Sequence, residues 1–545
     1  MHSLRSRRLS SPAIVAVTKG LLLAELVAVV ATCGGPGPTA RPSTADTMAP
    51  TPWASVGPSA TPNATPTPSP TPTPTPAPVS FPVAVVVRYD DPRESLSADA
   101  LTAAASGGKL VAPCEMTGLS LSGQPLALAA GTACLPAADI TARIHTEANT
   151  IGLLPPGLVS PSVKVLRVGD ADLFGSPTHR AIAYPLMAET ATAETWTAYD
   201  VNDVRTLIST GDTCPDRGVS LMAVTNKKGW DWTLNGGSAR YGGFRMDTEY
   251  TGPQGTGWPV PNLRRVGNSG TVAALISDND VSANDFECPM VANWVQHNGG
   301  KLFSIDPRVA QTLATKGGLK VVTLGSNHIT DAGYAGVRST IAYLDAAGIK
   351  HTGAGATLAA ALAPAVVDVR GVKFAFVGWD DIHGSAAATS AHPGAAPMTD
   401  ANVCDSIKAA KQVADVVIAM PQWGWPEYHS TITKEQIAQR SLFYSCGADG
   451  VLGSGTHWAS WASILPGSNG PTFAIGSHGN FLFDQNWSQQ TMEGVVVEVT
   501  FVGTQVAQFR LHPYVVVQGA QPNLLDPRTD GKYVLDRVWS VSDIR

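Results

Sequence analysis

Apolar and polar positions along this chain fall into two alternating rhythms, and their order predicts strands and helices in turn. Leu319 to Leu324 is an apolar, β-branched run of buried-strand type that opens into a polar loop carrying Asn327 and His328. Val337, Ile341 and Leu344 then recur at helical spacing over Tyr334 to Ala347, and Gly348 ends that helix. Upstream, Thr206 to Ser209 reads as a short strand ending in Gly211 and Asp212. Val272 to Ile276 is a further apolar run, and Asp285, Phe286, Glu287, Cys288 and Pro289 gather on a predicted loop. Asp306 and Pro307 start a helix that Gly317 stops. Downstream, Ala365 to Val369 and Val372 to Val377 predict a hairpin across Arg370 and Gly371, and Ala414 to Met420 a strand leading to Gln422. Thr433 and Gln436 form a capping box for a helix reaching Cys446, with Gly447 as its stop. Gly450 to Leu452, Thr472 to Ile475, and the pair Val495 to Val502 and Val506 to Leu511 complete the strands. Strand and helix alternate, so the fold class is α/β, built in layers. Each strand ends in polar residues and glycines, so one sheet edge collects them, as ligand sites in open α/β sheets do.

Ahead of this domain a smaller α/β unit is expected over residues 81–200, with a strand at Phe81 to Val87, a helix at Leu96 to Ala105 and a strand at Val163 to Val168. Asp170 and Asp172 follow that last strand as a short acidic turn. Cys114 and Cys134 could close a loop of about twenty residues, contributing on the order of 3 kcal/mol. Residues 34–80 are Pro, Thr, Ser and Ala, with alternating Thr-Pro from Thr65 to Pro76. Such a tract buries no core and reads as an extended spacer. Residues 1–33 carry Arg5, Arg7 and Arg8 before an apolar segment interrupted by Lys19 and Glu25, the pattern of an export signal.

Composition narrows the class. With 545 residues, 44% of them hydrophobic, and a net charge of −6, the chain can bury a large core, and its thinly spread Lys and Arg argue against nucleic acid as a partner. The stretch from Val30 to Gly34 resembles a bacterial lipoprotein cleavage site with Cys33 as the lipid-bearing residue. The alternatives are that Cys33 leaves with a cleaved signal or is a small apolar residue in an anchor. Setting Cys33 aside leaves six cysteines, an even set suited to an oxidising compartment. The expected location is therefore extracytoplasmic, at the cell envelope, with membrane attachment through Cys33.

The polar residues at predicted strand ends are Asp212, Asp285, Glu287, Asn327, His328, Gln422, His457, His478 and Asn480. Carboxylates, amide oxygens and imidazoles together suit a divalent ion such as Mn, Zn or Fe, and are too nitrogen-rich for a dedicated calcium site.

The order of the segments LISTGDTCPDRGV, NDFECP, GSNHITDAG, QWGWPEY, GADGVLGSGTHW and GSHGNFLFDQ resembles the bacterial capsule-synthesis, poly-γ-glutamate (CapA-type) family, related to the calcineurin-like metallophosphatases. The resemblance covers residues 205–526 and leaves 527–545 as a C-terminal extension. It implies a layered α/β/β/α sandwich. It also implies a site in which two metal ions about 3.5 to 4 Å apart clamp phosphoryl oxygens and activate water. Carried over, Asp212 looks like the first carboxylate ligand, Glu287 the bridging carboxylate, His457 a further ligand of the first ion and Asn327 an amide ligand of the second. His328 matches the imidazole that assists the leaving group, and Asp331 would orient it or cap its helix. Two family imidazoles are missing. Gln422 stands where His precedes Trp-Gly, leaving a weak oxygen donor, and Gly455 replaces another, so one well-held ion is expected, with the second weak or absent. His478 either compensates for a lost ligand or faces solvent. Cys214 and Cys288 form either a thiolate ligand set or, preferably, a disulfide pinning the two carboxylate loops, and Cys404 and Cys446 are structural. Trp423, Trp425, Trp458 and Trp461 either stack on sugars or pack.

The implied function is that of an exported protein of capsule, poly-γ-glutamate or other envelope-polymer biosynthesis. Its site would be that of a metal-dependent hydrolase acting on an anionic polymer or a phosphoester. The alternative is a non-catalytic polymer-binding or assembly protein on a degenerate metallophosphatase scaffold.

Overall fold

The computed structural model describes residues 78–544 apart from 133, 191–195, 197 and 249–256. The expected export signal, Cys33 and all but the end of the expected spacer lie outside the described residues. The strand Val79–Pro82 begins within the last residues assigned to that spacer.

Two large sheets face each other. One runs in the order Lys350–Thr352, Val321–Thr323, Val281–Phe286, Val204–Thr213, Glu493–Val502, Gln505–Val517 and Gln521–Leu524, with Asn480–Leu482 pairing beside the end of Val204–Thr213. The other runs Ala365–Val369, Val372–Asp380, Val416–Gln422, Gly450–Leu452, Gly470–Ile475, Ala462–Gly467 and Asp543–Ile544. Period-two alternation decides what each face buries. Leu207, Val281 and Val321 meet Phe374, Phe376, Ile418 and Phe473 between the sheets, while their neighbours Ile208 and Val322 turn outward. Those outward residues are covered by the helices Arg308–Thr315 and Gly333–Ala347. Ala375, Val377, Val417 and Ala419 of the second sheet are covered by Asp400–Lys411 and Lys434–Cys446. The result is the expected α/β/β/α sandwich. Phe376 lies at its centre without exposure, so Phe376→Ala would cost about 3–5 kcal/mol.

Several expectations need correction. Asp285 and Phe286 do not lie on a loop but end the strand Val281–Phe286, whose two neighbours in the sheet are parallel to it. Its polar residues are tolerated inside because Ser282 donates to the Gly318 carbonyl and Asn284 donates to Thr210, Thr213 and the Gly211 carbonyl. The apolar run Val272 to Ile276, to which the sequence reading gave no element, lies on the helix Thr271–Ser277. Phe81 to Val87 is two strands in different sheets, Val79–Pro82 and Ala84–Arg88, and the chain changes sheet just after Pro82, which has no N–H to continue a ladder. The last residues are not an appendage. Val534, Leu535 and Val538 on the helix Gly531–Trp539 close the inter-sheet core, and Asp543–Ile544 adds an edge strand.

Residues 79–190 form two small sheets of their own, packed against the outside of the strand Gln505–Val517. Arg510 pairs with Asp172 at 3.0 Å, Gln508 accepts from the Val165 N–H at 2.8 Å, and Thr500 donates to the Phe174 carbonyl at 2.6 Å. Asp172 is thus an interface residue. All six cysteines outside the N-terminal segment are bonded, Cys114 to Cys134, Cys214 to Cys288 and Cys404 to Cys446. A thiolate ligand from Cys214 is thereby ruled out. No helix among the described residues is long and apolar enough to cross a membrane.

Candidate metal centre

The C-terminal ends of the parallel strands in both sheets point to one side, and the polar residues gather there. The Asp212 N–H donates to the Gly479 carbonyl at 3.1 Å, and the Glu287 N–H to the Thr213 carbonyl at 3.0 Å. The Cys214–Cys288 bond ties the segments just beyond those two carboxylates. Gly211 allows this closeness, since a Cβ there would stand 1.8 Å from the Gly479 carbonyl oxygen. His457 follows in a turn where its own φ is 58°, a conformation costing of order 1 kcal/mol or more that the surrounding contacts must hold.

Asp212, Glu287 and His457 each offer a ligand atom within 4.8 Å of the others, and all three are buried. His457 Nδ1 lies 3.0 Å from Asp212 and 2.8 Å from Asn480 Oδ1, whose own amide nitrogen donates to the Thr491 carbonyl. Burial alone would lower the His457 pKa, but the hydrogen bond and charge of Asp212 outweigh it and the net shift is upward. Glu287 is held well above the usual carboxylate range by burial, reinforced by the Asp212 charge, and Asp285 likewise. Neither Glu287 oxygen accepts a hydrogen bond. A buried, donor-free carboxylate is unfavourable unless protonated or matched by a cation, so these residues fit a divalent ion.

The neighbouring position differs. Gln422 Nε2 donates to Asn327 Oδ1 at 3.1 Å, and the Asn327 N–H donates back to Gln422 Oε1 at 3.2 Å. The two amides expected to face a second ion close on each other. At Gly455 φ is 100°, and a Cβ would meet Ile382 at 2.6 Å and both Gln422 and the Trp423 carbonyl at 2.9 Å. A side chain at 455 would therefore press on the Trp423 carbonyl and need a left-handed backbone.

His328 Nδ1 lies 2.9 Å from Asp331 Oδ2, which also accepts from the Phe303 N–H at 2.9 Å, and the ring meets Phe303 edge-on. Asp331 thus orients His328; the residue capping the following helix is Ala332. His478 is buried rather than solvent-facing. Its Nδ1 bonds the Gly453 carbonyl at 2.9 Å, burial lowers its pKa to about 4, and it stands outside the Asp212 group. Trp423 and Trp461 are core residues, whereas Trp425 is 58% exposed.

A cleft of about 760 Å³ opens over the site, lined by Asn327, His328 and His457 together with Arg217, Lys301 and Trp487. Arg217 pairs with Asp484 and lies 4.6 Å over the Phe303 ring. Tyr428 stacks on His457 and Trp487 meets Tyr428 edge-on. The sequence reading missed these wall residues, and also Asp380, a buried carboxylate raised to about 7 by desolvation. The same strand-end rule would have found Asp380 had the strand been followed past Val377.

The fold is thus a four-layer α/β/β/α sandwich with carboxylates and an imidazole collected at its strand ends. Residues 206–485, just over half of the chain, match the family described as bacterial capsule synthesis protein PGA_cap, and the chain belongs to that family. It is 27% identical over 235 residues to the capsule biosynthesis protein CapA of Bacillus anthracis, covering 42% of this chain and 56% of that protein. It is 25% identical over 245 residues to the PGA biosynthesis protein CapA of Bacillus subtilis, covering 44% and 63%. The chain therefore spans about three fifths of each of these relatives. Among solved structures it is similar to the calcineurin-like phosphoesterase YfkN from Bacillus subtilis, at 13% identity and a TM-score of 0.28, covering 61% of this chain and 98% of that one.

Proposed function

We propose that this protein works outside the cytoplasm in the synthesis, export or trimming of an anionic envelope polymer, and that its strand-end site hydrolyses a phosphoester or amide with one divalent cation, Mn, Zn or Fe. The observation that carries the reading is the buried Asp212, Glu287 and His457 group, with Glu287 lacking any donor. Those three residues would hold the ion. When bound, it supplies Lewis-acid polarisation and an activated water at neutral pH. His328, oriented through Nδ1 by Asp331, leaves its other ring nitrogen for proton transfer to a leaving group. Family membership and the relatives' names support the polymer context. Three disulfides support an oxidising compartment, and attachment through Cys33 belongs to the same proposal.

Turnover of p-nitrophenyl phosphate with added manganese, measured for the full chain and for His328→Ala, tests the hydrolase reading; equal rates would overturn it. The closed Asn327–Gln422 pair favours the second reading, a scaffold that keeps one ion and binds polymer without cleaving it. That reading predicts tight ion binding with no turnover.

A further inference from the structure

The strands Ala239–Asp247 and Trp258–Arg265 pair only with each other, as a two-stranded ribbon on the body of the sandwich. One side is anchored, with Ala239 and Val260 buried in the inter-sheet core and Tyr241 and Leu263 against it. Elsewhere the ribbon is open, and Phe244 and Met246 are 49% and 59% exposed.

Its charge is one-sided. In a chain of net charge −6, these two strands carry Arg240, Arg245, Arg264 and Arg265 against a single acid, Asp247. Arg240 stands directly opposite Arg264 in the register. Opposite residues of an antiparallel pair share a face, and like charges placed so are destabilising. Counter-charges are sparse. Arg245 has Asp247 at 3.3 Å, Arg265 lies 5.1 Å over the Trp232 ring, Arg240 is within the electrostatic reach of Asp526, and Arg264 makes no ion pair among the described residues. A local rule broken without a structural gain points to a ligand. The ribbon also leads to the cleft. Trp258, beside its tip, meets Trp487 edge-on at 5.6 Å, and Trp487 lines the cleft over the metal centre.

We propose that this ribbon is a docking strip for an anionic polymer chain, whose acidic groups pair with Arg240, Arg264 and Arg245 on one face of it. The strip holds the chain and passes it toward the Trp258–Trp487 rim. The inference rests on the protein's handling an anionic polymer, and does not require that the polymer be cut.

Binding of fluorescein-labelled poly-L-glutamate to the full chain tests it. Arg240→Ala/Arg264→Ala should weaken binding by about tenfold or more, and raising NaCl from about 50 to about 300 mM should weaken the unaltered protein similarly. Arg240→Lys/Arg264→Lys should stay within about threefold, since an ammonium keeps the charge. Arg264→Ala should melt no lower than the unaltered protein, which separates lost binding from lost folding. The double alanine variant should turn over p-nitrophenyl phosphate at the unaltered rate. If the unaltered protein lacks turnover yet binds polymer through these arginines, the hydrolase reading fails and the strip stands. Equal polymer binding by the alanine variant and the unaltered protein would overturn the strip. So would arginine-dependent binding to phosphatidylglycerol vesicles without binding to poly-L-glutamate, which would make the partner a membrane surface.

Discussion

On the Asp212 side of the strand-end site, two carboxylates and an imidazole face one another and Glu287 has no donor. On the Asn327 side, the Gln422 amide bonds both the Asn327 side-chain oxygen and the Asn327 backbone N–H, and a Cβ at Gly455 would crowd Ile382 and the Trp423 carbonyl. Both halves lie at the ends of parallel strands; Gln422 and the Asp212 group are buried and Asn327 is half-buried at the cleft, and what separates the halves is unsatisfied charge. A buried group of acids without donors is relieved only by a cation or protons, whereas groups that bond one another need neither. The difference teaches that unsatisfied charge is concentrated in the Asp212 half, while the Asn327 half is closed by hydrogen bonds of its own.

The strongest test removes one of those acids. Glu287→Ala should lower bound divalent metal from about one ion per chain to below about a tenth, measured by elemental analysis of protein purified without chelator, because two remaining ligands hold an ion poorly. Two tightly held ions in the unaltered protein would break the comparison. Next in size, His328→Ala should keep the ion and lose about 10²- to 10³-fold in turnover of p-nitrophenyl phosphate, the usual range for a positioned acid or base. Loss of the ion in that variant would place His328 in the binding half.

A pH measurement sharpens the contrast from the stability side. Burial raises Asp285 and Glu287 well above the carboxylate range and Asp380 to about 7. An acid with a raised native pKa binds more protons folded than unfolded, so its protonated form stabilises the fold and stability falls as pH rises from about 4 through the native values. Chelated protein should therefore melt at a lower temperature at pH 7.5 than at pH 5, the three raised acids outweighing His478, whose lowered pKa of about 4 works the other way. Added manganese should abolish or reverse that slope, because an ion favours the ionised carboxylates. A slope unaffected by metal would remove the Asp212 half from consideration as an ion site.

How much of this was legible in the sequence follows from the same physics. Periodicity exposed strands such as Leu319 to Leu324, and it exposed the capping box at Thr433 and Gln436, because each pattern is local. The strand Val281–Phe286 escaped because Ser282 and Asn284 are polar inside, and only their distant partners at Gly318 and Thr210 make them acceptable. The residues of the Asp212 group were legible through motif order, and their convergence at strand ends came from the topology rule. That Asn327 and Gln422 would bond each other was not legible, since either amide could equally have faced an ion. The cleft walls at Arg217 and Tyr428 were hidden too, lying on loops without periodicity and held by contacts such as Arg217 with Asp484 and Tyr428 with His457.

The smallest expected effect is the most discriminating. Gln422→His restores the imidazole that the family resemblance places before Trp-Gly, so if only that residue were missing, a second ion should bind. In this fold it should not. The substitution removes the two hydrogen bonds to Asn327, a loss of about 1–2 kcal/mol, and returns a single nitrogen beside a position still blocked at Gly455 by Ile382, Trp423 and a left-handed backbone. Metal content should stay near one ion per chain, with a melting temperature a few degrees lower. A second ion held by Gln422→His alone would mean that the Asn327 half is a site one residue short, and that its closed amide pair relaxes whenever a better ligand is supplied.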